Sequence, residues 1–113
     1  MRYNRLTKTD VRQAVMRVIS KKLRESARDQ SCTLRLSGCQ HDHGVVLAHL
    51  PCGQKGVGMK GPDVIACFAC DHCHSVIDSR VRGEYTGADL LRALAETQMY
   101  WIEKGLITVK GAA

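Results

Sequence analysis

No stretch of this chain approaches the roughly 18 consecutive apolar residues that a bilayer-spanning helix needs. Its opening run, MRYNRLTKTD, has no apolar core of the kind that marks an export signal. Both absences lead us to expect a soluble, unexported, cytoplasmic protein with no membrane partner. Repeats, linker-like tracts and low-complexity segments are missing too, and 113 residues leave no room for a second full domain. Acidic side chains are the scarce charge: 11 Asp and Glu stand against 17 Lys and Arg, a formal net charge of +6. Clustered Lys and Arg gain affinity for phosphates by releasing counterions. A polyanionic partner is therefore expected, with nucleic acid (DNA) ahead of an anionic membrane surface.

What the chain does hold is six cysteines. In a reducing cytoplasm these serve as metal ligands or plain thiols, whereas in a secreted protein three disulfides would be expected instead. Cys70-x2-Cys73 is a tight pair whose sulfurs can meet one ion from a turn entering a helix. Cys32-x6-Cys39 can add two more from a loop far upstream. Four thiolates on one Zn²⁺ would tie these two parts of the chain together, and the binding energy of such a site is folding energy. Other donors compete on spacing alone: Cys67 could stand in for Cys70, and His41, His43 and His72 are close in sequence. We read Cys67 as a small apolar strand residue and Cys52 as an unpaired thiol, since free cysteine commonly behaves as a buried hydrophobe. Neither has a recognisable base and orienting group that would make it a nucleophile.

Along the chain, Val11, Ala14, Val15, Val18, Ile19 and Leu23 recur at helical spacing, which predicts an amphipathic helix over 9–28 capped by Thr9. Its other face carries Arg12, Arg17, Lys21, Lys22, Arg24 and Arg28, either a solvated surface or a stripe that lies along a phosphate backbone. Residues 29–43 lose periodicity and suit a loop or zinc knuckle. Residues 44–50 read as a short buried strand bearing His49 near its end, 53–61 as a glycine-rich loop, and 63–68 as a second strand, together a β-hairpin. Asp71 can cap a helix over 72–80. Thr86 and Asp89 match a capping box loosely and open a helix that Gly105 ends. Residues 106–109 are expected to add a terminal strand. The fold class is thus α+β, a strand–strand–helix core flanked by an N-terminal helix (9–28) and a C-terminal one (86–105).

A second group of residues is harder in character. His74 and Asp78 are four apart on the predicted helix, so they share a face and can grip one ion together. His49 is either a base or a satisfied core histidine, and Asp78 has Arg80 and Arg82 as alternative surface partners. Asp63 can orient His49 or anchor the hairpin. Lys60 and Arg35 suit phosphate contacts, though each also reads as an ordinary surface charge.

The run VLAH (46–49), the segment from Gly56 to Ala66, the run ACxxCHxxID from Ala69 to Asp78, and the upstream Cys32-Thr-Leu-Arg35 together resemble the YbcO-type family of lambdoid prophage proteins. That family is proposed to consist of HNH-fold, or ββα-metal, nucleases. The resemblance covers residues 31–80, and more loosely the C-terminal helix. It implies Cys32, Cys39, Cys70 and Cys73 as structural zinc ligands, with Cys67 outside the set, and His49 as the catalytic histidine. In the HNH plan a strand-end histidine acts as general base on a water, while a divalent ion held from the helix steadies the scissile phosphate. His74 and Asp78 would then hold Mg²⁺ or Mn²⁺, and the substrate would be DNA phosphodiesters. Ala48 and the lack of a clear Asn match before Cys70 depart from that plan and imply fewer protein ligands to the ion. The competing account is a catalytically silent zinc module that binds nucleic acid or a protein.

Overall fold

Alternation along two short strands decides how the core is divided. In this computed structural model, which describes residues 18–51 and 61–112, β1 (Val46–His49) pairs antiparallel with β2 (Ala66–Ala69) in the register Val46↔Ala69, Leu47↔Phe68, Ala48↔Cys67, His49↔Ala66. Partners in such a register share a face of the sheet. Ala48 and Cys67 therefore point one way, into a cluster with Cys32, Leu34, Cys70, Cys73, Val76 and Ile77. Leu47 and Phe68 point the other way, against Leu23, Ala27 and Trp101. His49 shares the face of Leu47, as the twofold period of a strand requires.

Helices close both faces. α1 (Lys21–Glu25) brings Leu23, α2 (Asp71–Ile77) follows β2 directly, and α3 (Gly87–Glu103) contributes Ala93 to the first cluster and Trp101 to the second. Phe68 meets Trp101 and Tyr100 edge to face, with centroids 6.1 and 5.6 Å apart. The outer edge of β2 is capped rather than left open: Thr33 N–H and its hydroxyl both donate to the Phe68 carbonyl at 2.8 Å, and Phe68 N–H donates to Thr97 Oγ1 at 3.2 Å. No helix among the described residues is long and apolar enough to cross a membrane.

Several boundaries differ from the sequence expectation. Residues 9–17 of the predicted N-terminal helix lie outside the described residues. Within 18–28 only Lys21–Glu25 is α-helical. Ser20 is extended (φ −129°, ψ 113°), its Oγ accepts from Leu23 N–H, and its own N–H is drawn to Asp63 Oδ2 at 2.7 Å. A serine that finds partners outside the helix starts a new one instead of continuing an old one. At α2 the cap is Cys70, not Asp71, because the Cys70 sulfur accepts from Cys73 N–H. α2 stops at Ile77: Ser79 turns left-handed (φ 61°), with Arg80 N–H bonded to Ser75 O and Ser79 N–H to Val76 O, a Schellman ending.

The expected strand over 106–109 is absent among the described residues, since a second Schellman ending takes its first N–H. Gly105 (φ 70°) donates to Ile102 O, Leu106 donates to Trp101 O at 2.8 Å, and Leu106 and Ile107 fold back onto the Trp101 cluster.

The capping box at α3 is present in both directions, with Asp89 N–H on Thr86 Oγ1 (3.1 Å) and Thr86 N–H on Asp89 Oδ2 (2.9 Å). Thr86→Ala is expected to cost about 1 kcal/mol and lower the melting temperature by about 4–8 °C, with metal content unchanged. Differential scanning calorimetry checks this, and a melt that does not move would show that the box adds nothing to α3.

Candidate functional site

The knuckle before β1 and the entry to α2 carry the four sulfurs of Cys32, Cys39, Cys70 and Cys73, all within 4.8 Å of one another. Cys39 and Cys70 sulfurs are 3.9 Å apart. Sulfurs placed tetrahedrally about 2.3 Å from zinc would be ~3.8 Å from each other, so the set fits that ion. Backbone N–H groups are aimed at the sulfurs: Gln40 and Cys73 donate to Cys70 (3.3 and 3.4 Å) and His41 donates to Cys39 (3.3 Å). Donors of this kind favour thiolates. Burial alone would raise the Cys70 thiol, yet those two N–H groups, together with the Cys73 and Cys32 side chains, hold the group below its ordinary value. Burial pushes Cys39 and Cys73 up, which is the charge penalty a divalent ion would offset.

The competing donors stand elsewhere. Cys67 is fully buried, lies outside the group of four, and is pushed up to about 12 by burial, which makes it an inert thiol. His72 Nε2 bonds the Ser37 carbonyl (2.9 Å) across Gly38, whose φ of +86° and missing Cβ leave room for the ring. Cys52 and Lys60 lie outside the described residues.

On the opposite face of the hairpin, His49 Nε2 meets Asp63 Oδ1 at 2.7 Å. Asp63 is fully buried and also receives Arg24 through Nε (2.9 Å) and Nη2 (3.1 Å). Burial would raise its carboxyl, but the Arg24 guanidinium, the Ser20 N–H and His49 together hold it below the usual carboxylate range. His49 lines a groove of about 570 Å³ between α1 and β1, with Ile19, Lys21, Arg24, Arg28 and Val46 among its walls. The histidine thus faces a cleft rather than packed hydrocarbon.

His74 and Asp78 do meet, Nε2 to Oδ2 at 3.1 Å, with Arg80 3.7 Å from the same oxygen. Burial lowers the His74 pKa, against the pull of Asp78. Among the described residues, however, the cysteines are the only group of three or more metal donors. His49 is therefore not gathered with His74 and Asp78 around one point, because it has turned to Asp63. Arg35 spends its guanidinium on Glu96 in a bidentate pair (2.8 and 2.6 Å) rather than projecting freely for a phosphate.

The family model described as "Putative nuclease YbcO" matches residues 21–105. The chain belongs to the YbcO family. It is 40% identical over 91 residues to the "Putative nuclease YbcO" of Escherichia coli (strain K12) and equally to the "Putative nuclease ybcO" of Enterobacteria phage 82, matches that cover 75% of this chain and 95% of each relative. A solved structure of "a putative bacteriophage protein" from Escherichia coli str. K-12 substr. MG1655 superposes with a TM-score of 0.59 at 35% identity, covering 74% of this chain and 100% of that one.

The YbcO match opens at the first residue of α1 and closes at the left-handed Gly105, so the four cysteines, Arg24, His49 and Asp63 all fall inside it. Arg24 is the member of the site that sequence reasoning left among the basic-stripe residues. Its only sequence signal is an arginine one residue beyond the apolar Leu23. Asp63 had a sharper one: an acid set between Pro62 and an apolar run, which folds only if the carboxylate is paired.

Proposed function

We propose that this YbcO-family chain is an HNH-type endonuclease that hydrolyses DNA phosphodiesters beside His49. The observation that supports it most is a strand-end histidine, fixed by a 2.7 Å bond to a buried carboxylate, on the wall of a groove that also carries Lys21, Arg24 and Arg28. The β1–β2–α2 order and the four-sulfur staple agree with a zinc-bound ββα-metal core. In this reading His49 accepts a proton from water, and the oxygen so activated attacks phosphorus. The bond to the 3′ oxygen breaks, and that oxygen takes a proton from solvent, leaving a 5′ phosphate and a 3′ hydroxyl. His74 and Asp78 are the residues that would hold a divalent ion. When bound, Mg²⁺ or Mn²⁺ supplies charge stabilisation to the phosphate and the leaving oxygen. Lys21 and Arg28 position the backbone, while Arg35 holds α3 through Glu96.

One observation favours a second reading. With two donors only at His74 and Asp78, the same staple and groove would also serve a silent zinc module that binds nucleic acid. Supercoiled plasmid incubated with purified, zinc-loaded protein separates the two. Nicking that requires Mg²⁺ or Mn²⁺ and stops when they are withheld is expected; supercoiled, branched and single-stranded DNA all left uncut across several divalent ions would establish the silent module.

A further inference from the structure

We propose that Asp63 is a positioning residue: from the turn ahead of β2 it holds His49 as the tautomer protonated at Nε2, leaving Nδ1 as the basic atom, and Arg24 of α1 fixes Asp63 in turn. This rests on the reading of His49 as the base. The tautomer follows from counting donors and acceptors. Oδ1 receives Arg24 Nη2 at 3.1 Å and Oδ2 receives Arg24 Nε at 2.9 Å and Ser20 N–H at 2.7 Å. An ionised carboxylate beside a guanidinium can only accept. His49 Nε2, 2.7 Å from Oδ1, must therefore bring the proton itself. With Nε2 committed, the lone pair of a neutral imidazole sits on Nδ1, and among the described residues no hydrogen bond reaches that atom.

Arg24 has a distinct part in this arrangement. The guanidinium, its side chain 44% exposed at the groove, pairs with both Asp63 oxygens and keeps that carboxylate an acceptor toward Nε2. The catalytic apparatus then extends beyond the strand–strand–helix core: α1 and the Ser20 N–H, upstream of the zinc knuckle, hold the base through one carboxylate.

Nitrogen-15 NMR of the imidazoles in the full-length, zinc-loaded protein at pH 8 tests this, with His49 assigned by its absence in His49→Gln. The expected spectrum has a pyrrole-type Nε2 and a pyridine-type Nδ1. In Asp63→Asn the carboxamide oxygen stays on Arg24 and its NH2 faces the ring, so the proton should move to Nδ1. Nicking should then fall about 10²–10⁴-fold in kcat, with KM within about twofold. A purely structural Asp63 would leave the tautomer where it was in any variant that still binds zinc. A wild-type ring protonated at Nδ1 or at both nitrogens, or an Asp63→Asn spectrum unchanged from wild type, overturns the proposal. Should Asp63→Asn fail to fold, the wild-type spectrum decides alone. The expected tautomer in a protein that cuts no DNA would sink the nuclease reading and leave the Asp63 assignment standing.

Discussion

Replacing His49 with alanine is expected to reduce DNA nicking by at least about 10²–10⁴-fold, the usual contribution of a general base, while metal content and DNA affinity stay near wild type. The separation is sharp because the histidine does little for the fold. Its side chain is 11% exposed at the groove, and the bond it makes is to Asp63. When the imidazole is removed, both Asp63 oxygens still receive Arg24, and Oδ2 still receives the Ser20 N–H. The buried carboxylate is therefore not orphaned, and the several-kcal/mol penalty for an unpaired buried charge does not arise. The four sulfurs sit on the opposite face of the hairpin, and the groove cations Lys21 and Arg28 are untouched. Plasmid nicking, zinc analysis and a DNA-binding isotherm on one preparation check all three claims. Undiminished nicking by the alanine variant would remove His49 from the chemistry, and collapse of DNA binding would make it a contact rather than a base.

Which parts of this site were legible beforehand follows from how local their causes are. The thiol group could be read because metal ligation demands particular atoms at particular spacings, and Cys32, Cys39, Cys70 and Cys73 are the set brought together. The hairpin was readable from two apolar runs on either side of a glycine-rich segment, and the α3 cap from Thr86 and Asp89 three residues apart. What escaped depends on partners distant in sequence. Ser20 leaves the predicted helix because Asp63, 43 residues away, takes its N–H. Arg35 looked free because Glu96, 61 residues on, was invisible to a local reading. The 106–109 segment has strand-like composition, yet one left-handed glycine commits its first N–H to the end of α3. Period and composition report what a segment can do alone; a buried carboxylate with three claimants decides what it does in company.

Stripping the metal is expected to abolish the cooperative melt altogether, the largest stability change this chain should show. The four sulfurs are not appended to a finished core. Cys32, Cys70 and Cys73 belong to the same buried cluster as Leu34, Ala48, Val76, Ile77 and Ala93, with Cys39 packed against it. Structural zinc sites of four thiolates carry apparent binding free energies of about 10–16 kcal/mol near pH 7, against total domain stabilities of about 5–15 kcal/mol. Loss of the ion therefore exceeds or matches everything else that holds the domain. One zinc per chain is expected by elemental analysis. A chelator, or Cys73→Ser, should turn the sigmoidal melt into a featureless slope, whereas Cys67→Ala keeps the zinc stoichiometry at one because its sulfur lies outside the group. Cys70 should be the most sensitive position, since its sulfur also caps α2 through the Cys73 N–H. A metal-free protein that melts cooperatively at the temperature of the loaded one would show that hydrocarbon packing alone sustains the core. The hairpin that presents His49 to the groove would then owe nothing to the staple.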